Sequence, residues 1–346
     1  MMANLFNRNY SKTELLAYLG NPSQIAGATE VSVDTGKARG MRIYRIRNGH
    51  GLDFDLLPDK ALDISYLTYK GINIAFNSKN GLHAASYAYP ALKEFERYFS
   101  AGLLWTCGLK NTGPDYIDTD GRIQYLHGRI GVTPCEQVSV RSFWEDDDYI
   151  TKAEGVIRES FLGEYNLTLT RTVITSMNSN EILIQDVLEN NEPEKTDYLI
   201  LYHFNFGFPF VSEDIRINIE NNTGEIIPRT EFACKNIDNW YKYSKPVTGL
   251  EEQVFFHHPK SDAKGICTVC LENPKLGIGL VLSYKNHNLP ILTQWKSIRA
   301  GEYVLGIEPG NSYLNGMSEE KEKGIAKSIQ GFSKETFTMK IAFYDL

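Results

Sequence analysis

Along this chain hydrophobic positions alternate with polar ones far more often than they recur every three or four residues. MRIYRIR, LDFDLLP, NLTLTRTVIT, EILIQDVLEN, DIRINIE, ICTVCLE, IGLVLSYK, YVLGIEP and FTMKIAFYDL show two-residue alternation or short apolar runs. That is the pattern of strands buried on one face or on both. Turn clusters such as SMNSNE, NNEPEK, ENNTGE and ENPKLG separate them. Strands joined in succession by turns, with no βαβ rhythm and no repeat, predict antiparallel sheets packed face to face. No Pro/Gly/Ser-rich linker interrupts the run. The expected organisation is one domain over residues 1–346, with an N-terminal extension over 1–40 and a large sandwich over 41–346.

Two stretches read as helices. SKTELLAYLGN spaces Ser11 and Glu14 as a capping box, continues through Leu15, Leu16 and Leu19, and stops at Gly20. YPALKEFERYFSAG places Pro90 at a first helical position, aligns Leu92, Phe95 and Phe99 on one face, and ends at Gly102. The fold class is therefore mainly β with a few short helices.

Composition narrows the function. With 42% hydrophobic residues and a net charge of −7, the chain can build a large core but offers no general attraction to nucleic acid or anionic membrane. MMANLFNRNYSKTE lacks an apolar segment behind a basic start, and no run approaches 18 apolar residues. Neither a signal peptide nor a membrane span is expected, and the expected location is the cytoplasm. Five scattered cysteines suit reduced thiols there. The CxxC of Cys267 and Cys270 has no second ligand pair at a zinc-site spacing, and on a strand its thiols point apart, so no metal is expected. GxGxxG, P-loop, GxSxG and HExxH motifs are all missing, which argues against nucleotide binding, the usual hydrolase elbow and zinc proteolysis in their common forms.

Three stretches carry candidate chemistry. In LYHFNFGFP, residues 201–209, His203 and Asn205 share one strand face while aromatics alternate with them. The pair is either a satisfied core feature or one wall of a cleft. LHGRIG, residues 126–131, alternates His127 and Arg129 around Gly128, as if both side chains lay on one strand face. LTQWKS (292–297) is followed by GEYVLGIEPGN (301–311), where Glu308 ends an apolar strand ahead of an expected Pro309–Gly310 turn. Apolar neighbours there should raise the Glu308 pKa, making a general base, unless the residue only caps the turn.

Taken in order, LHGRIG, YHFNFG and QWKS…YVLGIEPGN resemble the aldose 1-epimerase (galactose mutarotase-like) superfamily, and especially its divergent bacterial branch of uncharacterised aldose epimerase-like proteins. The similarity spans roughly residues 40–345. It implies a large antiparallel β-supersandwich and interconversion of sugar anomers without a cofactor. His203 would be the general acid, Glu308 the general base and His127 a substrate-positioning donor. GLLWTCGLKN (102–111) stands where mutarotases carry an arginine stretch, and DKALDI (59–64) puts Lys60 at the arginine of a D-R-G-x-D-I pattern. EEQVFFHH (251–258) is the region expected to replace the mutarotase aspartate. Lys60, Asn111, Arg129 and Lys296 are candidate partners for hydroxyls or an acidic substituent, with Asn205 beside them. Trp105, Phe206 and Trp295 are candidates for an aromatic floor. A small-molecule sugar is the expected partner, and a homo-oligomer is compatible with the sequence. A sugar sensor without turnover and an isomerase of acidic or phosphorylated sugars are the alternatives.

Overall fold

The computed structural model describes residues 3–5, 8–88, 91–222 and 224–346. The alternating segments form three large antiparallel sheets, beside two short two-stranded ones, among them. Five strands pair in chain order from Gly27–Ser32 to Ile72–Asn73. Eight strands form a second sheet, in which Cys135–Glu145, Asp148–Phe161, Tyr165–Ser176 and Glu181–Asn190 meander before Lys334–Asp345 joins them to Ile278–Lys285, Ile266–Asn273 and Arg216–Ile219. The third has seven: Ile227–Pro228, Gln253–His257, Ile291–Arg299, Glu302–Gly310, Thr196–Gly207 and Lys327–Ile329, with Leu104–Leu109 also pairing Thr196–Gly207.

The long strands of the second sheet bury every other residue, which leaves one face to solvent. Thr196–Gly207 is different, because nearly all of it is buried. Its Tyr198, Ile200, Tyr202, Phe204 and Phe206 join the main core, which draws on all three sheets. Leu201 faces the other way, into a second cluster containing Phe76, Phe95, Phe99, Trp105 and Val254. His203 and Asn205 share the Leu201 face by the two-residue period. The aromatic run is thus a central strand with an apolar core face and a polar cavity face. Phe206 belongs to the core and contributes no floor to the cavity.

On the core face, a buried ion cluster ties the sheets together. Arg171 on Tyr165–Ser176 makes a forked contact with Asp186, its Nε reaching Oδ1 at 3.0 Å and its Nη2 reaching Oδ2 at 2.6 Å. The same guanidinium donates to Asp63 of the five-stranded sheet. Asp63 also accepts from the Thr106 hydroxyl at 2.6 Å and the Thr106 amide at 2.8 Å, and Tyr202 donates its hydroxyl to Asp186 at 2.9 Å.

The N-terminal capping box forms as expected, with Ser11 and Glu14 exchanging hydrogen bonds ahead of Lys12–Tyr18. Leu15 seats this helix in a satellite cluster with Leu5, Leu19, Ala26 and Met177. The second helix is a single turn, Phe95–Tyr98, with no side-chain cap at Glu94. Leu92 is consequently exposed, while Phe95 and Phe99 stack at 4.9 Å. Pro90 lies outside the described residues. All five cysteines are free, and Cys267 is buried while Cys270 points to the other face of its strand. Among the described residues, no helix is long and apolar enough to cross a membrane.

The Arg171 cluster should dominate the polar contribution to stability. Asp186→Asn leaves Arg171 short of a charge partner in a dry core and is expected to cost about 3–5 kcal/mol in urea unfolding. Lys70→Ala, which breaks the exposed Lys70–Asp345 pair, should cost under about 1 kcal/mol in the same measurement.

Candidate active site

The cavity is built from rows of side chains that run across the seven-stranded sheet. Cross-strand partners share a face, and the register pairs Phe256 with Thr293, Thr293 with Glu308, and His203 with Trp105. Glu302–Gly310 pairs Thr196–Gly207 at Leu201–Gly310 and again at Phe204–Ile307. That register sets Glu308 opposite His203. The ladder opens between those two pairings, where Pro309 has no N–H to give. The sequence led us to expect a turn at Pro309–Gly310. Both residues instead belong to the strand, with Pro309 opposite Leu292. Glu308 therefore sits inside a sheet and caps nothing.

His203 Nδ1 and Glu308 Oε1 lie 3.2 Å apart. Their alignment falls short of a hydrogen bond, and each lacks another partner among the described residues. Asn205 Oδ1 and Thr293 Oγ1, on the same face, are also buried and unpartnered. Buried polar atoms are ordinarily satisfied, and four orphans grouped on one face are the kind of exception that a polar ligand would relieve. Burial pushes Glu308 well above the usual carboxylate range, with Glu252 adding to the rise and Arg229 opposing it. Burial also pulls His203 down to about 3.

The cavity has a volume of about 300 Å³. Its walls include Phe76, Phe95, Phe99, His127, Trp295 and Leu314, with Ser78, Asn80, Arg229 and Glu252 among the polar lining groups. The His203 ring lies 5.6 Å from Phe99, 5.5 Å from Trp295 and 5.8 Å from His127, centroid to centroid. Trp105 is one layer below, edge-on to Phe95 and Phe99 at 6.0 and 5.2 Å, and supports this floor without lining it.

His127 reaches the cavity from a turn, not from the strand that alternation suggested. Its φ is +60° and that of Gly128 is +77°. A Cβ at Gly128 would fall 2.0 Å from the Gly108 carbonyl oxygen, so only glycine allows the turn to lie against Leu104–Leu109. Gly113 N–H donates to His127 Nδ1 at 3.3 Å. This bond assigns the neutral ring's proton to Nε2. Burial, followed by the proximity of His203 and Arg229, holds the ring neutral by lowering its pKa well below normal.

The other candidate binding residues are not in the cavity. Arg129 is exposed beyond the turn, with its guanidinium 4.5 Å from the Tyr125 ring centroid. The His127–Gly128 turn sends the two side chains to different places, so they do not share a face. Asn111 is buried as a strut, donating to the Pro114 and Tyr125 carbonyls and accepting from Met317 N–H. Lys60 is buried against His83, 3.0 Å from Nε2, and lies 5.0 Å from the Trp105 ring centroid. Burial lowers its pKa to about 7. Lys296 points to the opposite face from Trp295, donates to the Asn239 carbonyl at 2.6 Å, and is lowered by burial to about 8. Asn205 lies on the cavity face, where its Nδ2 is held by the Gly102 and His203 carbonyls.

Several residues that sequence reasoning did not single out are at the site. Thr293 was within the quoted LTQWKS but carries no signal beyond its strand register. Glu252 comes from EEQVFFHH and accepts from Trp295 Nε1 at 2.7 Å. Arg229 pairs its backbone N–H with Val254, which places it at the end of the row Val254–Trp295–Gly306. Gly306 matters because Glu308 folds back over it: a Cβ there would lie 2.3 Å from Glu308 Oε1 and 2.8 Å from Trp295 Cβ. Among the described residues, no three His, Cys, Asp or Glu side chains converge as a metal site.

The model of a domain of unknown function, DUF4432, matches residues 38–343. No curated protein matches the chain in sequence. Among solved structures, one from Klebsiella pneumoniae, provisionally named an aldose 1-epimerase, superimposes with a TM-score of 0.85 at 25% identity and covers 92% of this chain and 83% of its own. A galactose mutarotase-like protein from Clostridium acetobutylicum gives 0.62 at 15% identity, covering 93% and 100%. Galactose 1-epimerase from Lactobacillus acidophilus gives 0.58 at 12% identity, covering 92% and 99%. The fold is thus the mutarotase-like β-sandwich that the strand pattern and the motifs led us to expect.

Gly306→Ala should force Glu308 and Trp295 apart. The expected result is a loss of about 1–3 kcal/mol in unfolding free energy, together with a shifted His203 imidazole resonance in NMR. An unchanged His203 resonance would show that the carboxylate does not depend on the space above Gly306.

Proposed function

The chain belongs to the DUF4432 family, and we propose that it is an aldose 1-epimerase, converting one anomer of a free aldose into the other. The observation that carries this reading is the His203–Glu308 contact of 3.2 Å at the floor of an aromatic-walled cavity. Anomer exchange moves protons at two oxygens attached to the same carbon, the anomeric hydroxyl and the ring oxygen. An acid and a base that serve them must be close neighbours, oriented into one cavity. A volume of about 300 Å³ is at the lower end of small-molecule sites and suits a single sugar ring.

The protonation state follows from burial. With Glu308 raised by burial and His203 lowered to about 3, the proton that the pair shares resides on Glu308 and the imidazole is neutral. Transfer of that proton from Glu308 to His203 creates a carboxylate base and an imidazolium acid together. Glu308 then takes the anomeric hydroxyl proton as the C1–O5 bond breaks, and His203 protonates the released ring oxygen. Rotation of the aldehyde and the reverse transfers close the other anomer and return the proton to the pair. His127 Nε2–H donates to a sugar oxygen, and the faces of Phe99 and Trp295 meet sugar C–H groups.

This account changes which group sets each limb of the pH profile. For a conventional pair, Glu308 would lose its proton on the acid limb and His203 on the alkaline limb. Here activity falls at low pH when His203 takes a second proton, near the value of about 3. It falls again at high pH when the single proton leaves Glu308, above the usual carboxylate range. Both limits belong to the pair, and the profile should be bell-shaped, with its alkaline limb displaced above that of an ordinary carboxylate.

Saturation-transfer NMR of anomer exchange across a panel of aldoses tests the proposal. Glu308→Gln and His203→Asn should each slow exchange by roughly 10² or more while sugar binding persists. Binding by the wild type with no acceleration of any sugar would identify a sensor instead.

A further inference from the structure

The charged groups around the cavity say which sugars it accepts, if it works on sugars as proposed above. Lys60 and Lys296, the cations that could have met an acidic substituent, are buried elsewhere with partners of their own. Lys79 lines the cavity but is paired with Glu302. Arg229 remains, and among the described residues it makes no ion pair. One of its N–H groups donates to the Leu314 carbonyl at 3.1 Å, which fixes the guanidinium at the mouth and leaves its other donors free. Glu252 is fixed in the same manner, with Oε2 held by the Trp295 indole at 2.7 Å.

Both side chains line the cavity, and both act on the buried Glu308 with opposite sign. Arg229 lies in the row one step along the strands from the Glu308 row, about 7 Å away at two residues. That displacement is comparable to the length of a sugar ring. A donor-only group and an acceptor-only group, each anchored at one end, are presented to the part of a ligand that lies away from the reacting carbon.

We propose that Arg229 and Glu252 are specificity-determining residues that grip ring hydroxyls of an uncharged aldose and disfavour sugars bearing a carboxylate or phosphate. A hydroxyl both accepts and donates, so neighbouring hydroxyls satisfy the guanidinium and the carboxylate at once. An anionic substituent would satisfy Arg229 but also face Glu252, with Glu96 a further carboxylate of the lining. Arg229, Glu252 and Glu96 are all exposed, so that repulsion is moderated by water and works through the short distance between the clamp's two halves. The clamp thus rejects anions through its acceptor half and binds through both halves.

The test compares glucose, glucuronate and glucose 6-phosphate, then the galactose counterparts, by calorimetric binding and by NMR exchange on the wild type and on Arg229→Gln, Arg229→Lys and Glu252→Gln. The uncharged sugar of each set should bind the wild type at least about tenfold more tightly than its acidic analogues. Arg229→Gln and Glu252→Gln should each raise KM about tenfold with kcat within about threefold, the signature of lost uniform binding. Arg229→Lys should recover part of the loss, and Glu252→Gln should narrow the gap between glucose and glucuronate. Tighter wild-type binding of the phosphate or the uronate, abolished by Arg229→Gln, would overturn the proposal. So would an unchanged KM in Arg229→Gln. Binding is read apart from exchange, so selective binding without turnover would refute the epimerase reading and leave the clamp standing.

Discussion

Arg171 is the point on which the architecture turns. Its guanidinium is wholly buried and held by two carboxylates, Asp186 beside it in the eight-stranded sheet and Asp63 across the core in the five-stranded sheet. Tyr202 and Thr106 bring the third sheet to the same place, and these two residues are cross-strand partners. A hydrophobic replacement of similar size could stabilise the core as well or better. What the ions add is direction, because a planar fork with fixed donors accepts its partners in one geometry. A strand slipped by one residue would turn Asp186 or Tyr202 to the opposite face and leave a buried charge uncompensated.

The position of the site follows from that constraint. Tyr202 and Thr106 point into the core, so their neighbours His203 and Trp105 must point out of it, towards the second cluster. The ion cluster and the His203–Glu308 pair are therefore back to back on the same strands. One group of buried polar atoms is satisfied and fixes the register. The other is left partly unsatisfied, a state that a rigid scaffold can sustain and a loop could not. Burial that would penalise an isolated carboxylate would serve the proposed chemistry here, since it keeps a proton on Glu308 at a pH where exposed glutamates have lost theirs.

How much of this the sequence discloses depends on the range of the interaction. Local rules were sufficient for the alternating strands, the Ser11–Glu14 cap and the shared face of His203 and Asn205, since each involves residues within a few positions of one another. They failed where a side chain's destination is set by distant pairing. Lys60 and Lys296 look like free cations in the sequence, yet both lie in the interior away from the cavity, Lys296 turned there by strand parity and Lys60 placed there by the turn between Leu52–Leu57 and Asp63–Tyr69. Arg129 follows His127 by two, but the left-handed turn at His127 and Gly128 breaks the alternation that would have kept them together. In the sequence Glu308 looks like a residue at a strand end, because proline usually marks one. At Pro309 the ladder is already open, so the missing N–H leaves nothing unpaired. Arg229 and Thr293 had no local signature at all, and only the cross-strand register brings them to the site.

The row arrangement also separates two tasks that many sites mix. Thr293, Glu308 and His203 form one row across three strands, while Arg229, Val254, Trp295 and Gly306 form the next. In the proposed reaction proton transfer would use the first row, where burial and close approach bring the pair together. Recognition away from the reacting carbon would use the second, which ends near solvent at Arg229. Strands of this kind hold successive rows about 7 Å apart, so side chains in the second can be exchanged without disturbing distances in the first. Gly306 is the exception, because the Glu308 carboxylate lies over it and any side chain there would couple the rows. On the proposed reading, changes of sugar preference would be open to Arg229 and Glu252, at the rim, while Gly306 is bound to the geometry of the His203–Glu308 pair.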